Sequence, residues 1–382
     1  MELIGIDIFT DEKVKLTIEK SLIVKREVID SAANLPFIAP GFIDIQVNGY
    51  RGLDYSSPSL KGEDVEKLIY FLAESGTVMH VPTIITNSQK LICQNLETIA
   101  QAVEKNETVK KAIVAIHMEG PYISAVDGPR GAHDKEFVRD PDIKELDQWL
   151  EASNGLLKFV TLAPEREGAV EFIKYAVSKN IIVSIGHSGA TVEQIKAAVE
   201  AGATLSTHLG NGSHAQLPRL KNYLWEQLAN DSLCSGIIAD GYHLPDSVMK
   251  VIYRTKGKDK IVLVSDVALL GGSAVGRYKW GNINVEVHPD GHLSLADTPF
   301  LAGAGHLLDR GIPIFADAAQ IDLAESIKLA TINPARLLNK SIGLDEALEA
   351  NIVQFRVKGK REPLAIEQTL LEGKQIYNKE GR

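Results

Sequence analysis

The sequence predicts a (β/α)8 TIM barrel, an α/β fold, flanked by a small β-sandwich domain built from both termini. Three observations predict it. Short apolar runs recur eight times, separated by helical stretches. The runs are apolar on both faces, as parallel strands covered on both sides must be. The two chain ends instead alternate apolar with polar residues, the pattern of half-buried antiparallel strands. At 382 residues the chain is long enough for one large domain and a small one.

Along the chain, KVKLTIEK and SLIVKREVID in residues 1–40 read as antiparallel strands, as do NIVQFRVKG and TLLEGKQIYN near the other end. The expected division is 1–40 plus 346–382 for the small domain and 41–345 for the barrel. The barrel strands are FIDIQV (42–47), TVMHVPT (77–83), AIVAIHM (112–118), LKFVTLA (157–163), IIVSIG (181–186), ATLSTH (203–208), CSGIIAD (234–240) and KIVLVSD (260–266). DVEKLIYFLAES, TVEQIKAAVEAG and LPDSVMKVIYRTKG carry apolar residues at helical spacing. Several such stretches end in Gly, which stops a helix by adopting positive φ. YKWGNINVEVHPDGHLSL (278–295) reads as a hairpin after the eighth strand, turning at Pro289-Asp290-Gly291.

Composition narrows the function. A net charge of −9 without a basic block argues against nucleic acid. No apolar stretch approaches the ~20 residues a bilayer span requires, and MELIGIDIFTDEKVK has no signal-peptide pattern. Cys93 and Cys234 lack metal-like partners and read as packed thiols of a reducing compartment, so a cytoplasmic protein is expected.

Barrel enzymes carry their chemistry at the C-terminal strand ends. Those ends hold His117-Met118-Glu119, Gly186-His187-Ser188, Thr207-His208, Asp240-Gly241-Tyr242-His243 and Ser265-Asp266. Glu119, His187, His208 and Asp266 therefore converge on one rim. A carboxylate and two imidazoles with an open position describe a catalytic divalent metal site. An Asp beside the metal takes a proton from water and returns it to a leaving amine. His117 shares the inward face of Glu119 and reads equally as a ligand or a packed residue. His80 reads as packed, and His214, His288, His292 and His306 carry no spacing signal.

At these residues the sequence resembles the N-acetylglucosamine-6-phosphate deacetylases of the amidohydrolase superfamily. APGFIDIQVNG, HMEGPYIS, GPRGAHD, LAPE, IGHSGAT, THLGNG, IIADGYHL, LVSDVALLGG, LAGAG and INPA follow the family's order from residue 39 to residue 335. The resemblance implies Glu119, His187 and His208 as metal ligands and Asp266 as catalytic acid and base. It implies His133 at the reacting centre, Asn211 and Gly212 along the substrate, and Arg219 and His243 on the phosphate. It further implies a homodimer in which a neighbouring subunit can supply a phosphate-binding residue. Family members with Gln-x-Asn on strand one use a single metal. Amides are poor zinc ligands, so Gln46 and Asn48 are expected to line the site and fix Asp266 or a water. One divalent metal per subunit is expected, zinc ahead of iron, manganese or cobalt. THLGNGSHAQLPR departs from the family's THLFNAM or THLYNAM, and His306 follows LAGAG where a small-hydroxyl run is usual.

The function so implied is metal-dependent hydrolysis of the acetamide of N-acetylglucosamine 6-phosphate, a small-molecule amino-sugar substrate. The alternatives are deacetylation of an unphosphorylated or different N-acetylhexosamine, cyclic-amide hydrolysis, and a metal-binding scaffold without turnover. Cyclic-amide hydrolysis is disfavoured by the missing His-x-His on strand one and the missing lysine after strand four. A scaffold has no need of Asp266.

Overall fold

The computed structural model describes every residue except Ala32, Asn282, Pro299 and Arg382. Eight parallel strands lie side by side in chain order: Phe42–Val47, Thr77–Ile85, Ile116–Glu119, Leu157–Leu162, Ile182–Ile185, Leu205–Ser206, Cys234–Ile238 and Ile261–Val264. The fold is the expected barrel with helices outside it. The sixth strand is only two residues long, much shorter than the apolar run. The chain leaves the ladder there because His208 turns into left-handed backbone, φ 30°.

The ladder is continuous from the first strand to the eighth, and a single parallel bridge, Val47 with Val267, closes it just beyond the eighth strand. The seam is sewn by individual bonds. Asp44 Oδ1 accepts the backbone N–H of Ser265 at 3.2 Å and of Gln46 at 3.2 Å. Asp266 N–H donates to Gln46 O at 2.9 Å, and Asn48 N–H to Val267 O at 3.0 Å. Burial pushes the Asp44 carboxyl up to about 7, against the pull of the Ser265 and Gln46 donors.

Local chemistry sets the helices. Thr191 opens Val192–Glu200 with a capping box, accepting from Gln194 N–H while the Gln194 side chain accepts from Thr191 N–H. Gly257, φ 71°, ends Asp246–Lys256. Trp149 is fully buried, stacked on Tyr122 with ring centroids 5.2 Å apart.

The termini meet in one seven-stranded sheet, ordered Lys374–Asn378, Ala365–Leu371, Ile352–Arg356, Phe37–Pro40, Glu2–Asp7, Lys13–Glu19, Leu22–Val28. Its pairs are antiparallel except Glu2–Asp7 with Phe37–Pro40, which is parallel. Val14, Leu16, Ile23, Ile38, Ile352 and Leu370 share its core. Gly41 links this sheet to the first barrel strand, and a Cβ there would lie 2.2 Å from Val78 Cγ1. The insertion after the eighth strand is a three-stranded antiparallel sheet, Gly276–Trp280, Ile283–Val287 and Leu293–Leu295, packed on Ala268 and Leu270. No helix among the described residues is long and apolar enough to cross a membrane.

The seam yields a prediction with a definite sign. The Asp44 carboxyl binds its proton more tightly in the folded chain than in the unfolded one, where it is an ordinary carboxyl. Asp44 therefore costs stability as pH rises from about 4 to about 7, and the full cost stands above that window. Asp44→Asn keeps an accepting oxygen and removes the titration. Thermal melts should show the variant stabilised relative to the parent at pH ~8, by roughly 1–3 kcal/mol. The gain should vanish near pH ~4. A pH-independent difference refutes the assignment.

Candidate metal centre

Glu119 is the last residue of the third strand, while His187, His208 and Asp266 each lie two residues beyond theirs. His187, His208 and Asp266 have φ of 50°, 30° and 50°. Left-handed backbone at a non-glycine residue costs on the order of 1–3 kcal/mol. All three accept it in order to turn their side chains over the barrel mouth.

His187 Nδ1 donates to the carbonyl oxygen of Pro129 at 2.9 Å, which leaves a lone pair on Nε2. That lone pair lies 3.2 Å from Glu119 Oε1 and 3.0 Å from His208 Nε2. The third side of the triangle, His208 Nε2 to Glu119 Oε1, is 3.0 Å. Such electron-rich atoms repel unless a proton or a cation sits among them. Ligands held at ~2.0–2.1 Å around a tetrahedral ion stand roughly 3.3 Å apart, so this donor set fits a divalent metal. A second grouping overlaps it: donor atoms of Glu119, His133 and His187 lie within 4.8 Å of one another. His133 Nε2 is 3.3 Å from His187 Nε2, whereas His208 closes the tighter triangle with both partners.

The electrostatics divide the roles. Burial pushes the Glu119 carboxyl up, but hydrogen bonds with His187 and His208 outweigh it and hold Glu119 well below the usual carboxylate range. His208 is raised, because Glu119 outweighs its burial. Burial, then neighbouring His187, pushes His133 down to about 3, keeping it neutral. Asp266 is pushed up to about 6 by burial and by the Glu119 charge, and is restrained by His208 and Asn48. A carboxylate at that value can take up a proton and release it near neutrality.

Asn48, Glu119, His133, His187, His208, Asn211, Gly212, His243 and Asp266 all line one cavity of about 550 Å3. Asn48 Nδ2 donates to Asp266 Oδ1 at 2.7 Å. Gly212, φ 56°, packs on His187, where a Cβ would lie 2.8 Å from Nδ1. Gln46 differs from expectation. It is buried behind Glu119, off the cavity wall, and donates to Glu119 Oε1 at 2.9 Å. Arg219 also differs: it is exposed and does not line its own chain's cavity. His117 is packed, its Nε2 2.7 Å from Thr161 Oγ1, and His80 pairs with Tyr55 OH at 2.7 Å. Sequence reasoning gave Tyr242 no role, and it missed Trp280 and Phe300 on the cavity wall because nothing in the pattern of the insertion and the segment after it says which face meets the barrel.

The chain is similar to curated proteins and to solved structures. The chain is 31% identical over 301 residues to N-acetylgalactosamine-6-phosphate deacetylase of Escherichia coli O157:H7, covering 79% of this chain and 78% of the relative. It is 30% identical over 303 residues to N-acetylglucosamine-6-phosphate deacetylase of Bacillus subtilis, covering 79% and 75%. The crystal structure of the N-acetylglucosamine-6-phosphate deacetylase of Thermotoga maritima superposes with a TM-score of 0.84 at 25% identity, over 99% of this chain and 100% of that one. Residues 37–376 match the amidohydrolase family. With its barrel and strand-end donors so arranged, this chain belongs to the amidohydrolase family.

Proposed function

We propose that the protein hydrolyses the acetamide of N-acetylglucosamine 6-phosphate, releasing acetate and glucosamine 6-phosphate. The observation that carries this reading is Asp266, poised near neutrality and held by Asn48 beside the Glu119–His187–His208 triangle. Glu119, His187 and His208 would hold a divalent cation, zinc in the first instance, which would supply Lewis acidity to the acetamide carbonyl and acidity to a water. Asp266 takes the proton from the attacking water and passes it to the nitrogen of the departing amine. Thr86 Oγ1, 2.8 Å from His133 Nδ1, can donate to it, leaving the Nε2–H of neutral His133 to stabilise the developing oxyanion. Asn211 and Gly212 run along the sugar, and His243 meets the phosphate.

A single cation follows from strand one, whose amides serve as donors to Glu119 and Asp266. The cavity wall carries no Lys or Arg among the described residues. A 6-phosphate therefore draws positive charge from outside the wall. Exposed Arg219 suits that task in the cavity of a second copy, which makes a homodimer the working assembly.

The relatives differ in sugar configuration at comparable identity. Acetate release should therefore be measured on N-acetylglucosamine and N-acetylgalactosamine, each free and as the 6-phosphate. N-Acetylglucosamine 6-phosphate should give the highest kcat/KM. A preference for either free sugar overturns the phosphate reading.

Asp266→Asn should lower kcat by roughly 10³-fold while retaining the bound metal. Near-parental turnover defeats the role given to Asp266. Chelation should abolish acetate release, and one equivalent of metal per chain should restore it. Two tightly held metals per chain, by elemental analysis, contradict the single-cation site.

A further inference from the structure

Asp240 stands two residues beyond the seventh barrel strand, outside the metal triangle. It is 4% exposed, and every hydrogen bond of its side chain serves one short loop, while its backbone carbonyl accepts from Arg310 Nε at 3.3 Å. Its Oδ1 accepts the backbone N–H of Tyr242 at 2.8 Å and of His243 at 3.0 Å. Its Oδ2 accepts from His243 Nδ1 at 2.8 Å. Burial pushes its carboxyl up, but the His243 interactions outweigh burial and hold it down to about 2.

A carboxylate oxygen only accepts, so Nδ1 of His243 carries a hydrogen. Nε2 is then the nitrogen left to meet a ligand in the cavity that His243 lines. An anion bound at Nε2 requires a proton there as well. The ring is then an imidazolium, and a buried anion on its far side balances the second proton. A carboxylate behind a histidine fixes both the rotation of the ring and the nitrogen that faces forward.

We propose that Asp240 is a positioning residue for recognition of the substrate's phosphate, acting through His243 by fixing its ring and balancing its charge when the phosphate docks. This rests on the reading above that His243 meets the 6-phosphate. Asp240 itself touches no substrate.

Asp240→Asn preserves an oxygen for the two backbone N–H groups, while its amide N–H faces Nδ1 and reverses the tautomer. The KM for N-acetylglucosamine 6-phosphate should rise about tenfold, the range of a lost charge-assisted contact. The loss should appear in KM for the phosphorylated sugar, not in kcat or in KM for the free sugar. His243→Ala should raise the same KM, and adding Asp240→Asn to it should cause no further rise. If His243→Ala leaves that KM unchanged, the reading of His243 fails and the proposal with it. If His243→Ala raises KM but Asp240→Asn does not, or the two effects add, the role of Asp240 is overturned while the reading of His243 stands. NMR of the parent holoenzyme carrying nitrogen-labelled histidine gives a test independent of how the variants fold. Nδ1 of His243 should be protonated, and a bare Nδ1 overturns the proposal.

Discussion

Closure of the barrel between its first and eighth strands decides where the Asp266 carboxylate stands. Successive alternate residues of a strand face the same side, and on the first strand and its exit these are Asp44, Gln46 and Asn48. Each holds a different partner: Asp44 the backbone of Ser265, Gln46 the carboxylate of Glu119, and Asn48 the carboxylate of Asp266. The backbone carbonyl of Gln46 meanwhile accepts from Asp266 N–H. The first strand, whose amides donate to carboxylates, thus aligns the third and eighth strands that carry Glu119 and Asp266. An amide serves this purpose better than an imidazole at position 46, because its N–H donates to a carboxylate oxygen without competing for the cation.

The left-handed turns at His187, His208 and Asp266 belong to the same constraint. A strand that continued straight would carry these side chains past the mouth. Each turn costs energy that the packed barrel beneath must offset. His117, Thr161, Thr207 and Ser184 form a hydrogen-bonded chain in that interior, with links of 2.7, 2.7 and 2.5 Å. A buried polar chain with its members paired holds the strands in register at the level where they turn.

Much of this was legible in the sequence because barrels write their chemistry at strand ends. Runs apolar on both faces predicted the strands, and the residues just beyond them predicted Glu119, His187, His208 and Asp266. Periodicity does not report where a strand bends, so the sixth strand was overextended to His208. It does not report which layer a polar residue occupies, so Gln46 was placed on the wall and not behind Glu119. Arg219 lay at the right spacing from His208, but spacing along a loop does not determine whether a side chain folds back on its own cavity. Asp240 was seen at a strand end but given no role, because a buried carboxylate that serves a neighbouring histidine looks, in sequence, like any other loop aspartate.

Charge balance connects the metal to the assembly. Glu119 and Asp266 are buried carboxyl groups, and buried charges persist only when paired. No Lys or Arg stands on the described cavity wall, so the balancing charge falls to imidazoles and to a bound cation. Glu119 consumes much of what His187 and His208 offer, as its lowered range shows. The phosphate proposed to enter the same cavity would add negative charge, and His243 on its wall is already tied to the carboxylate of Asp240. A histidine so paired with a carboxylate would offer a directed hydrogen bond but little net charge to a dianion. On the proposed phosphate reading the remaining charge would come from a residue off this wall, and exposed Arg219 of a second copy is the group proposed for it.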